Sequence, residues 1–321
     1  MNRLITALVA GFLIPMPLYA SVPTYVGEFG SFGSQDGQFA YPHGMAGDSQ
    51  GNVHVGDTVN KRVQVFDSTG AFLRKWGTPG GGSGQFGILD GLVVSDQGHV
   101  YVADVENDRI QKFTATGSWL LEWGTSGTGD GQFLGVIDVA VDADENVYVA
   151  DREGQVIQKF TSSGAFITRW GSVGNGDGQF QNPGGVAVGP DGSVYVSDMS
   201  THRVQKFTSD GTFLLSWGSE GSTPGQFQSA AHVDVDDTGN VWVADPGNHR
   251  VQVFSGDGTF LSSWGEFGTG PGQFHHPTDV VVGLNNLVFV ADKDNHRIQI
   301  FDAGAIPVVP TTWGRVKSMW E

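Results

Sequence analysis

The sequence predicts an all-β, six-bladed propeller of four-stranded antiparallel blades, closed by an N-terminal strand that pairs into the last blade. Three observations carry this reading. Gly-Gln-Phe recurs at Gly37, Gly84, Gly131, Gly178, Gly225 and Gly272, every step 47 residues, without an insertion or a deletion. A fixed period of that size marks a propeller or a solenoid. Each unit then divides into four short apolar runs separated by Gly, Asp and Asn turns, with no helical period, as propeller blades require.

The first copy shows the elements in order. A short strand covers Gly44 to Ala46, and a turn follows at Asp48 to Asn52. The second strand, Val53 to Asp57, reads Val-Tyr-Val-Ala-Asp at Val100 and Val147, with Trp or Phe for Tyr at Val241 and Val288. Without polar alternation, such a strand is covered on both faces. The third strand is Val63 to Phe66. After Gly70 the fourth runs from Phe72 to Trp76 and ends in Trp-Gly. Subtracting one period from Phe72 and Trp76 lands on Tyr25 and Phe29. Residues 24 to 30 therefore form a fourth strand lacking its first three, and the last copy stops after Ile298 to Phe301. The two incomplete ends predict the closure. Proline at 307 argues against a strand from the C-terminal tail, although Trp313 lies near the expected aromatic position.

Residues 1–20 stand outside the repeat. Arg3, the apolar stretch from Leu4 to Leu18 broken by Pro15 and Pro17, and Ala20 before Ser21 read as a secretory signal peptide. The organisation expected is thus a signal peptide at 1–20, a propeller at 21–303 and a tail at 304–321, exported to the periplasm or the medium. No further apolar run suggests a transmembrane segment, and a chain without cysteine suits an oxidising compartment. Net charge is −17, from 34 acidic and 17 basic residues. No basic cluster is present to neutralise phosphates, which argues against nucleic acid as a partner.

The run Ala-Asp-x-x-Asn-His-Arg-Val-Gln-Val-Phe from Ala244 to Phe254, its near copy from Ala291 to Phe301, and the Gly-Gln-Phe and Trp-Gly signatures resemble the NHL repeat. The resemblance covers residues 24 to 303 and implies the propeller fold. For function it implies several classes, since the family includes RNA binders, ubiquitin-ligase scaffolds, extracellular sensor domains and an amidating lyase. The lyase, by that resemblance, binds zinc through three Pro-His pairs at the start of the first strand. Here only Pro42-His43 matches. Gly184 and Thr278 follow Pro183 and Pro277, and Asp90, Ile137 and Ala231 fill the other places.

Candidate functional residues separate by whether they repeat. Asp57, Asp104, Asp151, Asp198, Asp245 and Asp292 end the second strand in all copies, and Arg62, Arg109, Arg203, Arg250 and Arg297 start the third in five. Recurrence marks them as scaffold, a carboxylate and a guanidinium suited to bidentate pairing across a hairpin. Blade three departs, with Gly154-Gln155-Val156 in place of Asn-x-Arg and Arg152 as a stand-in. The non-repeated residues lie at the first strand, which lines the central channel: His43, Asp90, Asp138, His232 and Asp279, with Asp234 close by. They are the expected ligand-binding residues of the channel mouth. Calcium or zinc is the cofactor such residues would take, with His43, Asp138 and Asp279 as metal candidates. His232 is one position out of phase with His43, so alternation sends it to the other side of its strand. His202, His249 and His296 sit in hairpin loops too far apart to share a metal, and the Asp-Gly turns at Asp36, Asp130 and Asp177 lack calcium-loop spacing.

No catalytic constellation stands out. The leading expectation is a non-catalytic, monomeric binding or scaffold module for a protein, peptide or glycan. The alternative is a metal-dependent lyase or hydrolase, amidating-lyase-like or lactonase-like, working at the channel mouth.

Overall fold

The computed structural model describes residues 22–304. Residues 1–20, read as a signal peptide, and the tail from residue 305, with Trp313, lie outside the described residues. Six four-stranded antiparallel sheets form the blades. Blade one consists of Pro42–Gly47, Val53–Asp57, Arg62–Phe66 and Phe72–Trp76. The second and fourth strands keep the expected bounds. The first is longer than Gly44 to Ala46, because Pro42 already pairs with Asp57.

The N-terminal strand Thr24–Phe29 is the outer strand of the sheet that also holds Pro277–Val282, Leu287–Asp292 and Arg297–Asp302. Tyr25 lies opposite Phe301 and Phe29 opposite Ile298. The Glu28 carboxylate accepts from Arg297 Nη1 at 2.7 Å. The last blade is thus completed by the first strand, and the ring closes as the two incomplete ends require.

Six core clusters fill the six spaces between neighbouring blades. In one of them Val251 and Val253 of blade five meet Val280, Val290 and Phe301 of blade six. The Gly-Gln-Phe phenylalanines Phe39, Phe86, Phe133, Phe180, Phe227 and Phe274 are all fully buried, each removal of such a ring from water contributing about 1.5–3 kcal/mol. The glycine of Trp-Gly exists for them. Gly77 has φ +95°, and a Cβ there would lie 2.5 Å from the Phe86 ring.

The repeated polar residues form one network per blade. In blade one, Asp57 Oδ1 accepts from the Ala40 N–H at 2.8 Å and Oδ2 accepts from Arg62 Nε at 2.7 Å. Arg62 Nη2 donates instead to the carbonyls of Gln35 and Gln38. Gln64 donates to the Gln38 carbonyl and accepts from the Gly37 N–H, which explains why Gly-Gln-Phe recurs. The pair is therefore a single Nε contact rather than bidentate, since the rest of the guanidinium holds the incoming loop. It forms in blades one, two, five and six. In blade four Thr201 replaces the usual Asn, Asp198 accepts from the N–H groups of Ser200 and Thr201, and Arg203 Nε has no partner. In blade three Arg152 does not stand in. It faces Glu153 at 3.5 Å, and burial pushes the Asp151 carboxyl above its ordinary range.

Candidate metal centre in the channel

Each blade contributes its first strand to the channel wall, and that strand begins with a bulge. In blade three the register passes from Val136 opposite Asp151 to Asp138 opposite Ala150, leaving Ile137 as the extra residue. In blade five the N–H of Ala231 donates to the Ala244 carbonyl while the Ala244 N–H donates to the His232 carbonyl, so two residues oppose one. A bulge of this kind re-aims side chains. It overturns the expectation that His232 points away from His43: their rings lie 5.3 Å apart, edge to face. Simple alternation does not hold where the strand carries an extra residue.

Glycine at the neighbouring positions makes room. A Cβ on Gly91 would lie 2.0 Å from Asp138 Oδ1, and one on Gly185 would lie 2.8 Å from the Cα of His232. Blades two and four therefore give up a side chain where blades three and five place one.

The result is a buried belt across the channel. His232, Asp90, Asp138 and Asp279 are each less than a tenth exposed, while the His43 side chain reaches solvent on one face. Asp90 Oδ1 touches His43 Nδ1 and stands 3.5 Å from His232 Nε2. The other His232 nitrogen, Nδ1, is 3.6 Å from Asp138 Oδ2 and 3.9 Å from Asp279 Oδ1. On the far side of the belt a cavity of about 630 Å³ opens, lined by Asp138, His232, Asp234 and Asp279 and rimmed by Asp48, Asp96, Asp236 and Asp237.

Three of the acids also have a structural task. Asp279 accepts the Met45 N–H of blade one at 2.6 Å, Asp138 the Val186 N–H of blade four at 2.8 Å, and Asp234 the Val282 N–H of blade six at 2.8 Å. The innermost strands have no neighbour strand on the channel side, so a carboxylate from the preceding blade satisfies their donors.

Burial pushes these three carboxyls up, Asp138 and Asp234 to about 6 and Asp279 to about 7. Asp90 goes the other way. Burial opposes its charge, yet the imidazoles of His43 and His232 hold it well below the usual carboxylate range. Burial likewise works against a charged His232, but Asp138, Asp279 and Asp90 outweigh it and raise the imidazole to about 10. The belt demands positive charge at its centre.

His43, Asp90 and His232 offer ligand atoms that all lie within 4.8 Å of one another. His43 Nδ1, Asp90 Oδ1 and His232 Nε2 are also buried atoms whose contacts are with one another. Two imidazole nitrogens and a carboxylate oxygen aimed at one point fit a divalent cation. Of the metal candidates expected from the sequence, His43 belongs to this group, whereas Asp138 and Asp279 face the opposite nitrogen of His232. Their carboxylates stand 3.6 and 3.9 Å from it, beyond hydrogen-bond reach, and act on the imidazole through charge. Asp90 and His232 complete the group in their place. The remaining repeat histidines stand apart on the rim as expected. However, His249 meets His275 and His276, with ring centroids 6.1 and 4.9 Å away. The His275-His276 pair was legible as a break in the repeat, but nothing in its spacing pointed to His249.

The NHL repeat matches residues 39–66, 86–113, 180–207, 227–254 and 274–301. The chain carries five NHL repeats. The unmatched copy is blade three, the one without the Arg that starts the third strand. A segment of 45 residues is 51% identical to the B-box type zinc finger protein ncl-1 of Caenorhabditis elegans, covering 14% of this chain and 5% of that protein. Among solved structures, a gluconolactonase from Xanthomonas campestris superposes with a TM-score of 0.63 at 15% identity, over 90% of this chain and 98% of that one. A streptogramin B lyase does so with a TM-score of 0.60 at 13% identity, over 88% and 98%. At such identities the likeness is one of fold. Among the described residues no helix is long and apolar enough to cross a membrane.

Proposed function

We propose that this NHL propeller is an exported, metal-dependent lyase or hydrolase whose centre is the channel group His43, Asp90 and His232. One observation carries the reading: two imidazole nitrogens and a carboxylate oxygen, all buried, gather within 4.8 Å of one another amid further acids. A wet channel mouth serving only to bind a partner has no need of such a group, and for that reason enzymatic chemistry takes precedence over a purely passive scaffold. A divalent ion held there supplies Lewis-acid polarisation of a substrate oxygen.

The chain's own residues do the rest. Asp138 and Asp279 place negative charge beside Nδ1 of His232 and leave Nε2 on the side of His43 and Asp90. The exposed side of His43 leaves the centre reachable from one face of the disc. The same architecture carries a gluconolactonase and a streptogramin B lyase. Cyclic esters are therefore the first substrate class to test.

Purified protein stripped with chelator and reloaded with zinc or manganese is expected to bind one ion that His43→Ala, Asp90→Asn and His232→Ala each release. The loaded protein should open lactones, and the variants should not. Unchanged metal content in all three variants would exclude the centre. Full metal with no lactone or related ester turned over would leave the second reading, a binding module. That reading is favoured by the exposed aromatic side chains of Phe32, Tyr41 and Phe267, which suit a protein, peptide or glycan face.

A further inference from the structure

A second group of donors stands on the rim, where blade five meets blade six. His275 and His276 occupy the two places between Phe274 and Pro277. The other copies hold Ala40-Tyr41, Gly87-Ile88, Leu134-Gly135, Gln181-Asn182 and Gln228-Ser229 there. No other blade offers two imidazoles at this point. Facing them is Asp294, in the single turn Lys293–Asn295 after the second strand of blade six.

The geometry brings the three side chains together. Asp294 Oδ2 lies 2.6 Å from His276 Nδ1 and 3.8 Å from His275 Nε2. One donor atom from each residue falls within 4.8 Å of the others. The arrangement is held by the backbone rather than by the rings themselves. The His275 N–H donates to Asp292 Oδ1 at 2.7 Å, and the Asp294 N–H donates to the His275 carbonyl at 3.1 Å. The His276 N–H donates to Nδ1 of His249 at 3.3 Å, with His276 in the left-handed region at φ +53°. That turn lets two consecutive side chains face the same acid. Phe267 closes the group, its ring 5.1 Å from His275 at 89°.

Accepting that N–H requires an unprotonated Nδ1 on His249. The donor set of two nitrogens and one carboxylate oxygen suits zinc and its late first-row neighbours. Calcium and magnesium call for more oxygens than the site has. The three side chains are partly exposed, so an ion reaches them directly from solvent.

We propose that His275, His276 and Asp294 form a rim site for a late first-row divalent ion, with zinc as its probe, which ties the incoming loop of blade six to the hairpin of the same blade. The site is separate from the channel and does not depend on the reading of that centre.

Zinc content after equilibrium dialysis, together with the thermal melt in zinc and in chelator, tests it. In a His43→Ala, His232→Ala background one zinc per chain should remain, and zinc should raise the melting temperature. Adding His275→Ala and His276→Ala should remove both effects. In the wild-type background the same two changes should lower the stoichiometry by one. Asp294→Asn should weaken zinc by at least roughly tenfold. Zinc content and thermal shift that survive His275→Ala with His276→Ala would overturn the proposal, as would an absence of zinc from the channel-blocked protein. If blocking the channel leaves zinc content at the wild-type value while the rim changes lower it, the channel reading fails and the rim site stands.

Discussion

The ring of repeated charges and the axial belt treat buried carboxylates in opposite ways. Around the ring, Asp57, Asp104, Asp245 and Asp292 each meet an Arg, an Asn, a Gln and a backbone N–H from the same blade or its incoming loop. Every charge finds its answer within the 47-residue unit, so multiplication of the unit copies the solution. At the axis no unit is complete. Asp279 serves Met45, Asp138 serves Val186, and His232 stands among acids from blades two, three and six. Charge balanced within a repeat is architecture. Charge that depends on several different blades and gathers three ligand atoms at one point is where a ligand belongs.

The largest expected effect tests closure, on which both regions depend. Deleting residues 22–30 exposes Arg297–Asp302 and removes Tyr25 and Phe29 from the core. The melting temperature should fall by at least about 10 °C, given roughly 2–4 °C per kcal/mol for domains of this size. An unchanged melt would remove the N-terminal strand from the closing role.

Next comes the ring itself. Arg109→Ala leaves Asp104 buried without its guanidinium and should cost about 3–5 kcal/mol in denaturant unfolding. Arg203→Ala, in blade four where Nε meets no carboxylate and only the carbonyls of Gly176 and Gln179 are lost as partners, should cost less, about 1–2 kcal/mol. Equal losses would erase the distinction between blade four and the others. At the axis the reverse pattern is expected. Asp138→Asn should weaken channel metal by about 10–100-fold.

A smaller gain should come from blade three. Val156→Arg supplies the missing guanidinium to Asp151 and should stabilise by about 1 kcal/mol, with the melt rising accordingly. The smallest effect concerns blade one, where His54 occupies the place of Tyr101, Tyr148 and Phe289. His54 is fully buried, and its Nε2 donates to the Asp48 carboxylate at 3.3 Å. Burial holds its imidazole below the ordinary value despite that acid. The unfolded chain therefore takes up the proton first, so stability present above about pH 6.5 is lost as pH falls toward the folded value. His54→Phe should flatten that part of the melt between pH 7 and 5. A variant as acid-sensitive as the parent would assign the loss to other groups.

Much of this molecule was legible in the order of its residues. The strands of blade one from Val53 to Trp76 sit at or within one residue of where the apolar runs place them, because covered strands and Gly turns are local signals. The latch was legible too, since Tyr25 and Phe29 align with Phe72 and Trp76. The pairing of His43 with His232 was not legible, because an extra residue at the start of each first strand breaks the alternation on which the reading rests. Nor was the missing Arg203–Asp198 contact: with Thr201 in the Asn place, Asp198 accepts from the N–H groups of Ser200 and Thr201, and Arg203 Nε is left without a partner.

The sequence by itself determined the blade count, the closing strand and the division of charged residues into those that repeat and those that do not. All three rest on a period, and a period survives in one dimension. Which of the unrepeated residues meet was decided by the tertiary structure alone. His43, Asp90 and His232 come from blades one, two and five, and only closing the ring brings them to one axis. There the bulge, the glycines beside it and the low dielectric of the channel set both their contacts and their protons.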